Sequence, residues 1–245
     1  MNIALIGYGK MGKEIELVAA NRNVSIKQIF TLENNSQGSG ITKQSLKNVD
    51  VCIDFSSPTA VVDNIEAVAG CGKNIVVGTT GWYDQLEEIK KLAKTKRIGL
   101  LYSSNFSIGM NIFYQVVTSA AHLVDKFDCY DAAISEMHHK GKADSPSGTA
   151  LTLGQIMLQQ LHRKKEVMHE SPHGTLKPEQ LHITSTRIGH VVGTHRVVFD
   201  SQADCIELVH TAKSRSGFAL GALLAAEWLN GKKGFFTMKD VLISI

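Results

Sequence analysis

The sequence predicts an α/β chain: a doubly wound parallel sheet, then a second, α+β unit with a mixed sheet. Three observations carry this. Short apolar runs alternate with amphipathic stretches up to about residue 106. A glycine-rich turn closes the first run. Beyond residue 106, strand-like runs follow one another without helices between them.

The elements follow in order. Asn2 to Ile6 is a short apolar run ending at Gly7, which reads as a buried strand. Met11 to Ala20 has apolar residues near helical spacing. Val24 to Leu32 reads as a strand. Val49 to Phe55 and Asn74 to Val77 are continuous apolar runs, as parallel strands covered on both faces require. Pro58 to Cys71 reads as a helix, with Pro58 in its first turn. Tyr83 to Lys96 is a further helix and Ile98 to Tyr102 a fifth strand. Met110 to Asp125 is a long helix, Cys129 to Glu136 a strand and Ser147 to His162 a helix. Residues 163–180 contain Pro172 and Pro178 and read as a loop. His182 to Arg187, His195 to Asp200 and Cys205 to Ala212 are strands, and Phe218 to Leu229 is the last helix. No internal repeat or low-complexity tract interrupts this.

Composition narrows the function. The 245 residues are 43% hydrophobic and 20% charged, which excludes a disordered or fibrous chain. With 26 basic against 23 acidic residues, the net charge of +3 suggests no nucleic-acid partner. The four cysteines are scattered, so neither a disulfide framework nor a zinc ribbon is expected, and a reduced cytoplasmic setting fits. No apolar run reaches the roughly 18 residues of a membrane span. The N-terminal run is too short for a signal peptide, so a mature soluble protein is expected.

Gly7-Tyr8-Gly9-Lys10-Met11-Gly12 is G-x-G-x-x-G between a strand and a helix. The first glycine permits the turn, the second lets a pyrophosphate approach the backbone, and the third packs helix on strand. The helix N-terminus then faces the phosphates. Alone the motif is equally a plain strand–turn–helix. Glu33 adds context: it ends the second strand, 21 positions after Gly12, where a carboxylate binds ribose hydroxyls. The domain is therefore expected to be Rossmann-like. Asn34, not an arginine, follows Glu33, which favours NADH over NADPH. Gly78-Thr79-Thr80-Gly81 ends another strand, at the ligand crevice of open sheets, although alone it is just a turn.

Residues 136–149 are the most informative segment. Two His and two Lys fall within five positions, His138, His139, Lys140 and Lys142, ahead of a helix start. A histidine exchanges protons near neutral pH. A lysine holds a carboxylate. Ser147-Gly148-Thr149 puts backbone N–H groups and hydroxyls at a helix N-terminus, a ready anion site. Together these describe a pocket for a small dianion beside a proton donor; the competing reading is a solvated basic loop ended by an N-cap. Adjacent histidines rarely converge on one ion and no third ligand is apparent, so no metal is expected.

The chain resembles the dihydrodipicolinate reductase (4-hydroxy-tetrahydrodipicolinate reductase) family of diaminopimelate and lysine biosynthesis. The resemblance covers essentially the whole chain. It rests on Gly7 to Gly12, Gly78 to Gly81, Ser104-Asn105-Phe106-Ser107, Glu136 to Thr149, Arg187 to His195, and Arg215 with Phe218-Ala219. It implies hydride transfer from NADH or NADPH to C4 of an unsaturated cyclic dicarboxylate, then protonation at C3. His138 matches the proton donor, and Lys142 the lysine that steadies substrate and charge. His139, Ser147, Gly148 and Thr149 match substrate contacts. Gly7, Gly9, Lys10, Met11, Gly12 and Glu33 match the dinucleotide contacts. Gly78, Thr79, Thr80, Ser103, Ser104, Phe106, Arg215 and Phe218 match the nicotinamide end. The resemblance further implies a dinucleotide domain of residues 1–106 and 215–245, a substrate and oligomerisation domain of residues 107–214, and a homotetramer. Lys142 lowers the pKa of His138 and a dianionic substrate raises it; the sequence leaves the balance open. In departure from many relatives, only Tyr8, and no basic residue, stands between Gly7 and Gly9, and residues 163–180 are shorter and less rich in glycine and arginine, so no role passes to them. Two other readings are a different nicotinamide reductase or amino-acid dehydrogenase, such as aspartate dehydrogenase, and a non-catalytic NAD(H) sensor. Neither accounts for residues 138–149 as well.

Overall fold

The computed structural model describes residues 1–170 and 174–244. The chain divides into two units, Met1–Ile108 with Arg215–Ile245, and Gly109–Ser214.

In the first unit β1 (Asn2–Ile6), β2 (Ser25–Phe30), β3 (Val51–Asp54), β4 (Asn74–Val77), β5 (Gly99–Tyr102) and β11 (Gly234–Thr237) form one sheet, ordered β11-β5-β4-β3-β1-β2. Every pairing in it is parallel. Strand side chains alternate between faces, and two cores result. Ile3, Leu5, Val51, Ile53 and Val76 pack with α1 (Lys10–Ala19) and α6 (Ser216–Leu229). Ala4, Ile6, Cys52, Ile75 and Val77 pack on the other side with α2 (Val61–Gly70) and α3 (Leu86–Lys96). β3 and β4 are buried at every position, which is why their sequences are apolar except for Asp54 and Asn74 at their ends. The chain leaves β1 for β2 on one side and later returns to β3 on the other. The strand order therefore reverses between β1 and β3, where α/β sheets bind ligands.

The second unit holds α4 (Ile108–Val124), β6 (Asp131–His138), α5 (Gly148–Gln160), β7 (Glu166–Met168), β8 (Gln180–Arg187), β9 (Gly193–Asp200) and β10 (Cys205–Ala212). Its sheet order is β10-β9-β6-β8-β7. β6 runs antiparallel to β9 and parallel to β8, so the sheet is mixed, as expected. One face buries Ile134, Ile183, Val197 and Phe199 against Phe113, Val117 and Leu153 of the helices. The opposite face is open, with Met137 and Val209 38% and 54% exposed.

Several expectations need correction. Pro58 is not in a first helical turn: the Ser57 carbonyl accepts from Ala60 and Val61 in a tight turn, and α2 begins at Val61. Tyr83–Gln85 is 3₁₀ helix, and α3 proper begins at Leu86. β6 runs two residues past Glu136, because Met137 and His138 still pair with Thr186 and Arg187 of β8. Residues 163–180 contain the short strand β7, and the Pro172 part of that predicted loop lies outside the described residues. The sequence reading omitted β11 and α7 (Met238–Ile243), which complete the first unit after α6. Among the described residues no helix is long and apolar enough to cross a membrane.

Candidate active site

The first unit carries a cleft of about 450 Å³ at the carboxyl ends of β1, β2 and β3, lined by Gly7, Tyr8, Gly9, Glu33, Ser56 and Asn64 among others. Its glycines do three different things. Gly7 has φ +90° and lies against Phe55, whose carbonyl oxygen would be 2.3 Å from any Cβ. A Cβ on Gly12 would lie 2.5 Å from the Gly7 carbonyl oxygen, so only glycine seats α1 on the loop. A Cβ on Gly9 would meet nothing within 4 Å, so that side of its backbone faces open space. No side chain caps α1, and its first-turn N–H groups face this end. These features fit a dinucleotide pyrophosphate. Lys10 is exposed, Met11 half-buried. Tyr8 donates its hydroxyl to Glu16.

Gly12→Ala is expected to destabilise the fold by about 1–3 kcal/mol through overpacking. The check is a lowered Tm beside an unchanged Tm for Gly9→Ala; equal Tm values for both would contradict the assignment.

Glu33 is exposed at the cleft. Asn34 folds its amide into its own turn, accepting from Thr31 N–H at 2.8 Å and donating to the Ile29 carbonyl at 3.1 Å. Thr79 is buried, and its hydroxyl donates to Asp54 at 2.6 Å. Ser103 is likewise engaged locally, donating to the Asn105 carbonyl at 2.8 Å. Phe106 is 2% exposed and packs edge-on against Phe55, so its ring is core. Thr80, Ser104 and Arg215 are exposed, Gly78 and Phe218 half-buried.

The second unit gathers a polar cluster at the end of β6. Parallel pairing sets His138 opposite Arg187, and antiparallel pairing sets Glu136 opposite His195. Glu136 is buried. It accepts from Arg187 at 2.9 Å and from Ser147 N–H at 3.2 Å on one oxygen, and holds His138 Nδ1 through a short hydrogen bond on the other. Arg187 also donates to the Asp144 carbonyl at 2.5 Å, tying the turn to β8. Ser147 caps α5, accepting from Ala150 N–H, and its hydroxyl meets His195 Nε2 at 3.2 Å. Lys142 pairs with Asp144 at 2.7 Å. Gly148 is exposed, and His139 and Thr149 are half-buried. The Ser147 N–H serves Glu136 and its hydroxyl orders the helix start.

Charges follow from this packing. Burial tends to raise the Glu136 pKa, but the hydrogen bonds it accepts, foremost from Arg187, hold it below the usual range. Burial lowers His138, Glu136 opposes this, and Lys142 and Arg187 add to the lowering. Without substrate the net direction is down. Burial, then the His138 charge, lowers His195 to about 4, so it is neutral near pH 7. Glu136, His138 and His195 bring potential ligand atoms within 4.8 Å of one another. Both Glu136 oxygens are already engaged and Arg187 adds positive charge there, so this donor set does not suit a cation. Glu136, Arg187 and His195 received no role from the sequence; the signal was their place in the 136–149 and 187–195 motifs.

A Rossmann-like dinucleotide cleft in one unit, with a polar, basic cluster on a mixed sheet in the other, defines a two-unit oxidoreductase. Comparison with known proteins narrows the class. The family models for the dihydrodipicolinate reductase N-terminus and C-terminus match residues 1–106 and 109–242. The chain belongs to the dihydrodipicolinate reductase family. A 4-hydroxy-tetrahydrodipicolinate reductase of Christiangramia forsetii is 41% identical over 242 residues, covering 99% of this chain and 98% of that one. One from Aquifex aeolicus is 36% identical, covering 96% and 95%. The fold matches a dipicolinate-bound dihydrodipicolinate reductase from Paenisporosarcina sp. TG-14, at TM-score 0.79, 23% identity and 98% coverage of both chains. An aspartate dehydrogenase from Thermotoga maritima shares the fold more distantly, with TM-score 0.50 and 13% identity over 95% of this chain and 97% of that one.

Proposed function

We propose that this chain reduces 4-hydroxy-tetrahydrodipicolinate to tetrahydrodipicolinate, with loss of water, in diaminopimelate and lysine biosynthesis. The first unit binds the dinucleotide and the second the cyclic dicarboxylate. The observation that carries the reading is the state of His138. Its Nδ1 is held by Glu136, so the proton it delivers leaves from Nε2. Gly193 stands opposite that nitrogen, where a Cβ would come within 2.9 Å, and its missing side chain keeps Nε2 clear.

A reduced nicotinamide supplies the hydride for C4. The residues of this chain do the rest. Lys142, drawn from Asp144, and the N-terminus of α5 at Gly148 and Thr149 grip the carboxylates, with His139 alongside. The bound dianion raises the His138 pKa from its lowered resting position, making it a proton donor at the moment C3 gains electron density. Glu136 stabilises the imidazolium and fixes its orientation. A sensor would have no use for this pair.

NADH is the favoured cofactor. The Glu33 carboxylate repels a ribose 2′-phosphate, and the neutral Asn34, its amide turned to Thr31 and Ile29, brings no positive charge to offset it. Each charge pair at about 4 Å contributes about 1 kcal/mol in water, so Glu33→Ala is expected to raise the NADPH-to-NADH ratio of kcat/KM about tenfold; an unchanged ratio would contradict this. The open face of the second sheet supports a homotetramer, and the four free cysteines support a cytoplasmic setting. The function is tested by following loss of reduced-nicotinamide absorbance near ~340 nm with enzymatically generated substrate. Turnover with this ring, and none with oxaloacetate plus ammonia, is expected; the reverse pattern would favour the amino-acid dehydrogenase.

A further inference from the structure

We propose that Asp54 is a positioning residue for the dinucleotide cleft, joining the loops after β2, β3 and β4 through Asn64, Ser56 and Thr79. The inference rests on the reading of that cleft as the dinucleotide site.

Asp54 ends β3 and is fully buried, yet no basic side chain pairs with it among the described residues. Its Oδ1 accepts from the Thr79 hydroxyl at 2.6 Å, the Ser56 hydroxyl at 2.8 Å and the Ser56 N–H at 3.0 Å. Its Oδ2 accepts from the Asn64 amide at 3.0 Å. Asn64 in turn accepts from Asn35 at 2.9 Å, and Asn35 accepts from Gly40 N–H at 3.1 Å. A single chain of hydrogen bonds thus runs from the loop after β4 to the loop after β2. Asn35, Ser56 and Asn64 line the cleft.

The next residue extends the reach of this hub. Phe55 presents its carbonyl to Gly7 and its ring to Gly78, where a Cβ would lie 2.2 Å from ring carbon. The loops after β1 and β4 therefore both rest on the residue that follows Asp54. An apolar side chain at position 54 would avoid the cost of burying a carboxyl group. Four donors converging on two acceptor oxygens instead demand a carboxylate. An asparagine offers one acceptor and turns an N–H toward a donor. Burial pushes the Asp54 pKa up, and its donors, Thr79 foremost, work against that.

The test measures dinucleotide affinity apart from turnover, by NADH fluorescence titration and by calorimetry with ADP-ribose. Asp54→Asn is expected to raise both Kd values about tenfold or more, as for loss of one or two buried hydrogen bonds. KM for the cyclic dicarboxylate should stay within about twofold, since the defect lies in the other ligand's site. Thr79→Val is expected to weaken NADH about fivefold, and Thr79→Ser, which keeps the hydroxyl, to restore it. If Asp54→Asn does not fold, the Thr79 pair decides. A lowered Tm with unchanged Kd would show a merely structural role and overturn the proposal, as would equal affinities for the two Thr79 variants. Failure of the unmutated protein to bind NADH or NADPH would instead overturn the reading of the cleft and this inference with it.

Discussion

His138→Gln is expected to lower turnover by about 10²–10⁴, the usual contribution of a positioned general acid, while leaving the NADH Kd unchanged. The argument begins at the backbone. His138 is the last residue of β6, and its carbonyl accepts from Ile188 N–H at 2.9 Å, so the strand ladder fixes its Cα. Glu136, two residues earlier on the same face, fixes the ring by holding Nδ1. Glutamine preserves much of the size and a hydrogen bond to Glu136, but has no proton to give near neutral pH. The loss should therefore fall on kcat, with a solvent isotope effect growing as proton delivery becomes rate-limiting. Full turnover in this variant would remove His138 from the chemistry.

Glu136→Gln is expected to damage both stability and the pH profile. Its carboxylate is buried and 2.9 Å from the mostly buried Arg187 guanidinium. Removing one partner of such a pair leaves an uncompensated charge, at a cost of about 3 kcal/mol, or about 6–12 °C in Tm for a chain of this length. The pH effect has a definite sign. Glu136 is the one group raising the His138 pKa, against burial, Lys142 and Arg187. A general acid loses activity as pH rises through its pKa. Without Glu136 that pKa drops further, so the basic limb of kcat/KM moves to lower pH. A limb that stays in place, in a protein with lowered Tm, would confine Glu136 to a structural role.

Much of this was legible in the residues. Short, mostly apolar runs marked the buried parallel strands, and Gly7 and Gly12 each have a steric reason to be glycine. The basic segment stood out because His138 and Lys142 flank a helix start. What could not be read was long-range pairing. Nothing local sets Arg187 against Glu136, 51 positions away; the register of β6 against β8 does so. The family resemblance matches Thr79 to the nicotinamide end, and nothing local announces that Asp54 takes its hydroxyl. Its engagement by Asp54 depends on two neighbouring strands ending level. β11 was missed because Gly234–Thr237 is a four-residue strand whose partner, β5, is distant in sequence.

Isotope placement in the product tests the central claim most directly. With NADH deuterated at the transferring position, in ordinary water, the tetrahydrodipicolinate should carry deuterium at C4 only. With ordinary NADH in deuterium oxide, the new label should appear at C3, and His138→Gln should slow its arrival. Deuterium from the cofactor lost to solvent, or a product unlabelled at both carbons, would contradict direct hydride transfer followed by proton delivery from His138.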